Sequence, residues 1–263
     1  MKYSKIMIVL LLLSALSVNA QETIKIDSLI VTGKQKLQQA TNKWQESQFI
    51  ESRAYFERLL SNGKKAWLTH YYIALTDFRL FSFHFTQEHN EKATMYIDDG
   101  ISHLRQSIEI KNDFSDAYNL LSALYGNKIG LKPWAVMTLG PKSGKAMGRA
   151  MELEQDNPRN YLISALSAYY TPKMFGGGVE KARIAFEKSI ALFDSVQITD
   201  MELPTWGYDE AHAWLGQLFM DREEFDKAQM NFERALQINK NYGWVREILL
   251  PELNRRIEAS SRN

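Results

Sequence analysis

The sequence predicts an all-α protein in which helical hairpins stack into a solenoid. Beyond residue 20, apolar residues recur with the helical period of 3.6, and no run of alternating β-branched residues lies between turn signals. A helix–turn–helix pattern between Glu210 and Lys240 also recurs upstream. One such hairpin cannot bury its apolar face alone, so it must stack on neighbours. We therefore expect one domain over 21–263, built from about five hairpins with long inserted loops and a C-terminal capping helix.

The hairpin between Glu210 and Lys240 shows the pattern most clearly. It combines small residues, which let two antiparallel helices approach closely, with larger apolar residues that fill the seam between them. The small residues are Gly216, Ala228 and Ala235, and the larger ones are Leu215, Phe219 and Phe232. This spacing resembles the 34-residue tetratricopeptide repeat (TPR), in which Leu-Gly, an aromatic residue, and then Ala, Phe and Ala recur. The resemblance implies stacked helix pairs whose first helices line a concave surface.

The same register extends towards the N terminus in progressively more diverged copies. We expect the five copies at about 33–66, 67–114, 115–157, 158–196 and 209–242, with the capping helix over 243–263. Additional residues near 82–95, 126–143, 171–178 and 197–208 are expected to be insertions. Three short motifs further resemble a group of exported bacterial TPR-like proteins: Asn-Pro-Arg at 157–159, Pro-x-x-Phe-Gly-Gly at 172–177 and Leu-Pro-x-Trp-Gly at 203–207.

The first 20 residues have the organisation of a secretory signal peptide. Lys2 and Lys5 form a basic start, an apolar run covers 6–16, and Val18-Asn19-Ala20 forms a small-residue cleavage site. The apolar run is too short to span about 30 Å of hydrocarbon. Because cysteine is absent, no lipobox cysteine carries a lipid anchor. The pattern predicts a periplasmic or secreted protein cleaved before Gln21.

The charge of the mature chain argues against nucleic-acid binding. Removing positions 1–20 leaves 30 basic and 31 acidic residues, a formal net charge of −1. Such a protein has no broad electrostatic attraction for nucleic acid or for anionic lipid. No second apolar segment reaches membrane-spanning length, so we expect no integral membrane segment after signal cleavage.

Motifs for catalysis and metal binding are missing from the sequence. No Gly-x-Ser-x-Gly elbow occurs, the five histidines form no His-Glu-x-x-His motif, and the usual zinc frameworks require cysteine. We therefore expect no catalytic residue, no metal ligand and no cofactor. The predicted protein is not an enzyme.

Candidate binding residues follow from the TPR resemblance, which assigns groove-facing positions on the first helix of each hairpin. These positions hold tyrosines and amides, which suit an extended peptide because rings bury area and amides satisfy backbone groups. The alternative is that the aromatics pack against the inserted loops. The predicted groove residues are Tyr71, Phe78, Arg79, Asn119, Asn127, Tyr169, Tyr170 and Gln217.

Two functions follow from this interpretation. The first is an exported TPR scaffold that mediates protein–protein or peptide binding in the cell envelope. The alternative is a small-ligand-binding accessory protein of a transport system, with inserted loops covering a pocket. The position of the insertions at 126–143, 171–178 and 197–208 discriminates between them. Insertions inside the concavity favour a pocket, whereas insertions outside it favour an open peptide groove.

Overall fold

The computed structural model describes residues 29–61, 63 and 65–261, so the predicted signal peptide at 1–20 lies outside the described residues. This part of the chain contains eleven α-helices and no β-strand, which confirms the predicted all-α class. The helices are α1 (29–43), α2 (Glu46–Leu60), α3 (Ala66–Thr86), α4 (Asn90–Ile110), α5 (Ser115–Leu131), α6 (Val136–Leu153), α7 (Pro158–Tyr170), α8 (Val179–Ser195), α9 (Tyr208–Asp221), α10 (Phe225–Ile238) and α11 (Leu250–Ser260).

Consecutive helices pair into five hairpins, from α1–α2 to α9–α10. Within the stack, the first helices of neighbouring hairpins contact each other: α5 contacts α7, and α7 contacts α9. After α10, a π-helical turn at Trp244–Leu249 runs into α11, which packs on α10. The regular α-helix resumes around Pro251, whose nitrogen carries no hydrogen to donate. The solenoid with a C-terminal cap is thus as predicted.

The close helix contact predicted in the last hairpin is present. Ala228 and Phe232 are fully buried between α9 and α10. A Cβ atom on Gly216 would lie 2.5 Å from Cε1 of Phe232, far inside ordinary van der Waals contact. The first hairpin repeats this arrangement, because a Cβ atom on Gly33 would lie 2.5 Å from Cε1 of Phe56. Glycine therefore allows the two helices of each of these hairpins to touch.

The extra residues of the second and third hairpins differ from the expected loops, because they lengthen the helices. Helix α3 continues to Thr86 and α4 begins at Asn90. Helix α5 continues to Leu131, and α6 follows after one 3-10 turn at Pro133–Ala135. Of the four expected insertions, only those at 171–178 and 197–207 lie almost entirely outside α-helices, and the first of these contains a short 3-10 turn.

The first and last hairpins meet. Asn239 Nδ2 donates to Asn42 Oδ1 at 2.9 Å, and Asn239 Nδ2 also donates to Asp209 Oδ2 at 2.7 Å. A Cβ atom on Gly243 would lie 2.4 Å from the carbonyl oxygen of Asn42, so the chain passes very close to the end of α1. Among the described helices, none combines the length and the apolar character needed to cross a bilayer.

Candidate functional site

We call the side of the solenoid lined by the first helices of the hairpins (α1, α3, α5, α7 and α9) the inner face. The segment 197–207, which connects α8 to α9, lies across the part of this face formed by α1 and α3. Lys34 Nζ donates to the carbonyl oxygens of Met201 and Leu203, at 2.5 Å each. The Tyr72 hydroxyl donates to the carbonyl oxygen of Glu202. The side chains that hold these carbonyls come from α1 and α3, so the segment covers these two helices on the inner face. We call 197–207 the inner segment.

Trp206 anchors the inner segment. Its side chain is only 9% exposed, and its Nε1 donates to the Tyr71 hydroxyl at 2.8 Å. Its ring also lies against the Arg79 guanidinium, 5.3 Å from the ring centroid. Burial raises the pKa of Tyr71 well above its ordinary value, so this hydroxyl stays protonated and can hydrogen-bond at any physiological pH. The indole therefore fills the space beside Tyr71 and Arg79 on α3.

A buried ion pair joins the second hairpin to the fifth beneath this segment. Arg79 Nη1 donates to Glu210 Oε2 at 2.9 Å, and Nη2 donates to Oε1 at 2.5 Å. Both side chains are buried, and the two parallel bonds form the bidentate geometry that suits guanidinium and carboxylate. The pair fixes the start of α9 against α3.

A cavity of about 210 Å³ remains between α1, α3 and the inner segment. Its lining mixes apolar side chains with the buried ion pair and with amides from α1; it includes Leu37, Gln38, Tyr72, Leu75, Arg79 and Trp206. Ligand pockets of drug size have volumes of roughly 300–1,000 Å³. The cavity therefore accommodates only a small molecule. A larger open depression of about 330 Å³ lies between α4, α5 and α6 and contains none of the predicted groove residues.

Four predicted groove residues are buried: Tyr71, Phe78, Arg79 and Asn119. The expectation that they face an open groove is therefore wrong. Tyr71 and Arg79 contact Trp206 of the inner segment. The buried Asn119 amide donates to Asn160 Oδ1 at 2.9 Å and to Asp116 Oδ1 at 3.2 Å, so it helps to join α5 to α7.

The other four predicted residues, Asn127, Tyr169, Tyr170 and Gln217, retain solvent exposure. The structure brings three of them together at the C-terminal half of the inner face. Gln217 Nε2 donates to Asp221 Oδ1 at 2.8 Å, and the Tyr169 hydroxyl donates to the other carboxylate oxygen. The Tyr169 and Tyr170 rings meet edge to face at 5.0 Å. Asn127 lies on α5, with no hydrogen bond to this group among the described residues.

Two tryptophans that the sequence analysis missed complete this group. The Trp214 ring lies 6.0 Å from Tyr170 and 4.8 Å from Trp244. The four rings of Tyr169, Tyr170, Trp214 and Trp244 form a continuous series from α7 across α9 to the start of the cap, and we call them the aromatic row. Trp214 precedes Gln217 by three residues and shares its helix face, so helical spacing was the signal that pointed to it.

The surroundings of the aromatic row keep its two tyrosine hydroxyls protonated. Burial raises the pKa of Tyr169, and its hydrogen bond to Asp221 raises it further. Burial and the charge of Asp221 also raise the pKa of Tyr170. Arg256 of α11 lies 3.6 Å from the Asp221 carboxylate, which places an ion pair at one end of the row. The row thus offers aromatic faces with hydrogen-bonding groups at its border. Tyr170 is its most accessible member, at 68% exposure.

The described residues contain no group of three or more His, Cys, Asp or Glu side chains arranged to hold a metal ion. The closest histidine pair is His70 and His103, whose Nδ1 atoms lie 2.8 Å apart between α3 and α4. Burial lowers the pKa of both, and that of His103 falls to about 4. The pair is therefore neutral at physiological pH and joins two helices.

Fold and inner face together define an all-α solenoid of TPR-like hairpins. Neither a family model nor a curated protein matches the sequence. Among solved structures, the HusA haemophore from Porphyromonas gingivalis superposes with a TM-score of 0.61 at 24% identity, covering 72% of this chain and 92% of that chain. A thermophilic TPR protein from Thermus thermophilus superposes with a TM-score of 0.52 at 15% identity, covering 88% of this chain and 100% of that chain. These similarities agree with the TPR-like helical repeat fold predicted from the sequence.

Proposed function

We propose that this protein is an exported, non-enzymatic scaffold that binds a protein or peptide partner in the cell envelope through the aromatic row. The observation that carries the proposal is the exposed Tyr170 ring, which continues into half-buried rings on α9 and the cap. Aromatic rings bury a large area at low entropic cost, which is why tyrosine and tryptophan dominate binding hot spots. Gln217 and Asp221 supply polar groups beside the rings for the backbone of an extended peptide.

The inner segment limits where the partner binds. It occupies the face formed by α1 and α3, and by the criterion given above this position favours a pocket there. A peptide therefore reaches only the part formed by α7, α9 and the cap. The expected ligand is therefore a short stretch with one or two apolar side chains that stack on the rings.

The test compares capture of envelope proteins by the parent chain, Tyr170→Ala and the control Phe85→Ala. Phe85 is 49% exposed at the end of α3, away from the aromatic row. If Tyr170 is a hot spot, its loss costs about 2 kcal/mol, or about thirtyfold in affinity, with an unchanged melting curve. Affinity for a partner identified with the parent is then measured by titration. Equal affinity of the parent and Tyr170→Ala would show that the row is not the binding surface.

Export rests on the sequence pattern at 1–20 and is part of the proposal. Mass spectrometry of the protein recovered from its native host tests it. A mature chain that begins at Gln21 supports export, whereas an intact Met1–Ala20 segment in a cytosolic fraction refutes it.

A second candidate function is binding of a planar apolar ligand such as haem, in line with the predicted alternative of a small-ligand-binding accessory to transport. Two observations favour it: the structural similarity to a haemophore and the exposed Tyr170 ring beside the half-buried rings of the aromatic row. The cavity of about 210 Å³ beneath the inner segment is too small for a ring of that size, so the aromatic row is the expected place.

Titration with haemin tests this candidate. A shifted Soret band that saturates at one equivalent in the parent, and weakens in Tyr170→Ala but not in Phe85→Ala, supports it. An unchanged Soret band in the parent rejects it and leaves the protein-binding proposal intact.

A further inference from the structure

Exposed apolar side chains cluster at the connections inside the third and fourth hairpins. Trp134 is 75% exposed and Met137 is 81% exposed at the α5–α6 connection. Met174 is 83% exposed and Phe175 is 70% exposed at the α7–α8 connection. We call these four residues the tip surface. It shares no residue with the aromatic row, whose Tyr170 ends α7 just before the second connection.

The two connections lie at the same edge of the solenoid. Helices α5 and α7 are first helices of neighbouring hairpins and pack side by side, so their C-terminal ends point the same way. The second connection is held in a fixed shape, because the Gly178 amide donates to the carbonyl oxygen of Ala168 at 2.8 Å. Lys181 Nζ also donates to the carbonyl oxygen of Gly176 at 2.7 Å. Met174 and Phe175 are therefore presented to solvent by an ordered turn.

The fold itself does not require apolar residues at these connections. The equivalent connection of the second hairpin contains Gln87, Glu88 and His89, and that of the fifth contains Arg222, Glu223 and Glu224. Both are polar, as expected for solvent-exposed turns. The apolar tips of the third and fourth hairpins consequently need an explanation other than folding.

Basic residues surround the tip surface. The stretch 126–151 contains five basic residues and no acidic residue. Lys142 and Lys145 are exposed on α6, and Lys142 lies six residues beyond Val136, about 9 Å along the helix. Lys132 and Lys173 lie within the two connections, just before Trp134 and Met174. None of these four lysines forms an ion pair with a carboxylate in the described part of the chain. Their charge is therefore available to an anionic partner.

We propose that the tip surface docks on an anionic lipid surface. Tryptophan prefers the headgroup level of a bilayer, and apolar side chains beside it enter the acyl boundary while lysines attract anionic headgroups. A protein partner explains the composition less well, because lysine is depleted at protein interfaces. The docked chain lies on the bilayer with the edge of its third and fourth hairpins against it.

Flotation with vesicles tests this docking. The full mature chain is mixed with vesicles of phosphatidylglycerol and phosphatidylcholine in equal parts, or of phosphatidylcholine alone. We expect flotation with the anionic vesicles that decreases at high salt. Trp134→Ser with Phe175→Ser should weaken binding by about tenfold or more. Lys142→Gln with Lys145→Gln should weaken it by about thirtyfold, since each lysine near the surface contributes about a factor of five.

Matched controls carry the same chemical changes elsewhere. Ile110→Ser with Met230→Ser removes two exposed apolar side chains from other surfaces, and Lys43→Gln with Lys240→Gln removes the same charge. Both controls should bind as the parent does. Trp134 fluorescence provides a second readout: its emission should shift to the blue with anionic vesicles, and the shift should disappear in Trp134→Phe.

Three outcomes overturn the proposal. The first is absence of flotation with anionic vesicles. The second is an equal loss of binding in the controls and the tip variants. The third is self-association through the tip surface. In that case the parent is a dimer, Trp134→Ser is a monomer, and both bind vesicles equally.

Discussion

Substituting Gly216 by alanine tests the helix contact on which the last hairpin depends. The new Cβ atom would lie 2.5 Å from Cε1 and 2.6 Å from Cδ1 of Phe232, and 3.2 Å from the carbonyl oxygen of Ala228. Phe232 is fully buried, so its ring cannot move into solvent. The contact can be relieved only if α9 and α10 separate or the ring leaves its rotamer, and such overpacking costs about 1–3 kcal/mol.

The same substitution also improves helix propensity, by about 1 kcal/mol. A matched control isolates the packing cost. Gly148 lies within α6 and is exposed, and a Cβ atom added there would meet no neighbouring group within 4 Å, so Gly148→Ala gains propensity alone. Gly148→Ala should be more stable than the parent by about 1 kcal/mol. Gly216→Ala should be less stable than Gly148→Ala by about 1–3 kcal/mol.

Urea unfolding followed by far-ultraviolet circular dichroism measures both free energies. A third test adds Gly216→Ala to Phe232→Leu. In that background the alanine should lower the free energy of unfolding much less than it does in the parent, because the ring atoms that clash are gone. If Gly216→Ala and Gly148→Ala are equally stable, the helices do not touch at Gly216 and the reasoning is refuted.

Three further predictions concern the inner face and the histidine pair. Trp206→Ala should lower the free energy of unfolding by about 3–5 kcal/mol, whereas the exposed Trp134→Ala should change it by about 0.5 kcal/mol or less, both measured by urea unfolding. Arg79→Met should lower the free energy of unfolding by about 3–5 kcal/mol, because it leaves the Glu210 carboxylate buried and unpaired. In a double-mutant cycle, Arg79→Met with Glu210→Met should recover most of that loss. Lowering the pH from 6.5 towards 4 should destabilise the parent more than His103→Gln in pH-dependent unfolding, because the folded pKa of His103 is about 4 and the unfolded chain takes up the proton first. Comparison with the variant is needed because burial raises the pKa of Asp77 to about 7, which favours the folded state over the same range.

The sequence predicted the hairpins because helix packing leaves a local signature. Gly216, Ala228 and Phe232 lie within 17 residues of one another, and small residues matched with a large one at this TPR-like spacing favour two helices in close contact. The extra residues of the third hairpin misled the prediction for the opposite reason. Gly140 and Pro141 favour a loop locally, yet both lie within α6, on a part of the helix that remains solvent-exposed or half-buried.

The candidate site was only partly predictable. Helical register assigned Tyr71 and Arg79 to the groove-facing side of α3, but register does not reveal what covers that side. The covering contacts join residues far apart in sequence: Trp206 and Tyr71 are separated by 135 positions, and Arg79 and Glu210 by 131. No local pattern marks such pairs. Tyr170 is 68% exposed, and its contact with a partner stays a prediction.

The inner segment and the aromatic row are mechanically connected through α9. This helix begins at Tyr208, directly after the inner segment, and Glu210 in its first turn is held by the buried Arg79. Trp214 follows Glu210 by one helical turn, so the ion pair sets the position of the ring on which Tyr170 packs. The covered part of the inner face is thus joined to the accessible part through α9. On the proposed function, this connection preorganises the rings and reduces the entropy lost when a partner binds.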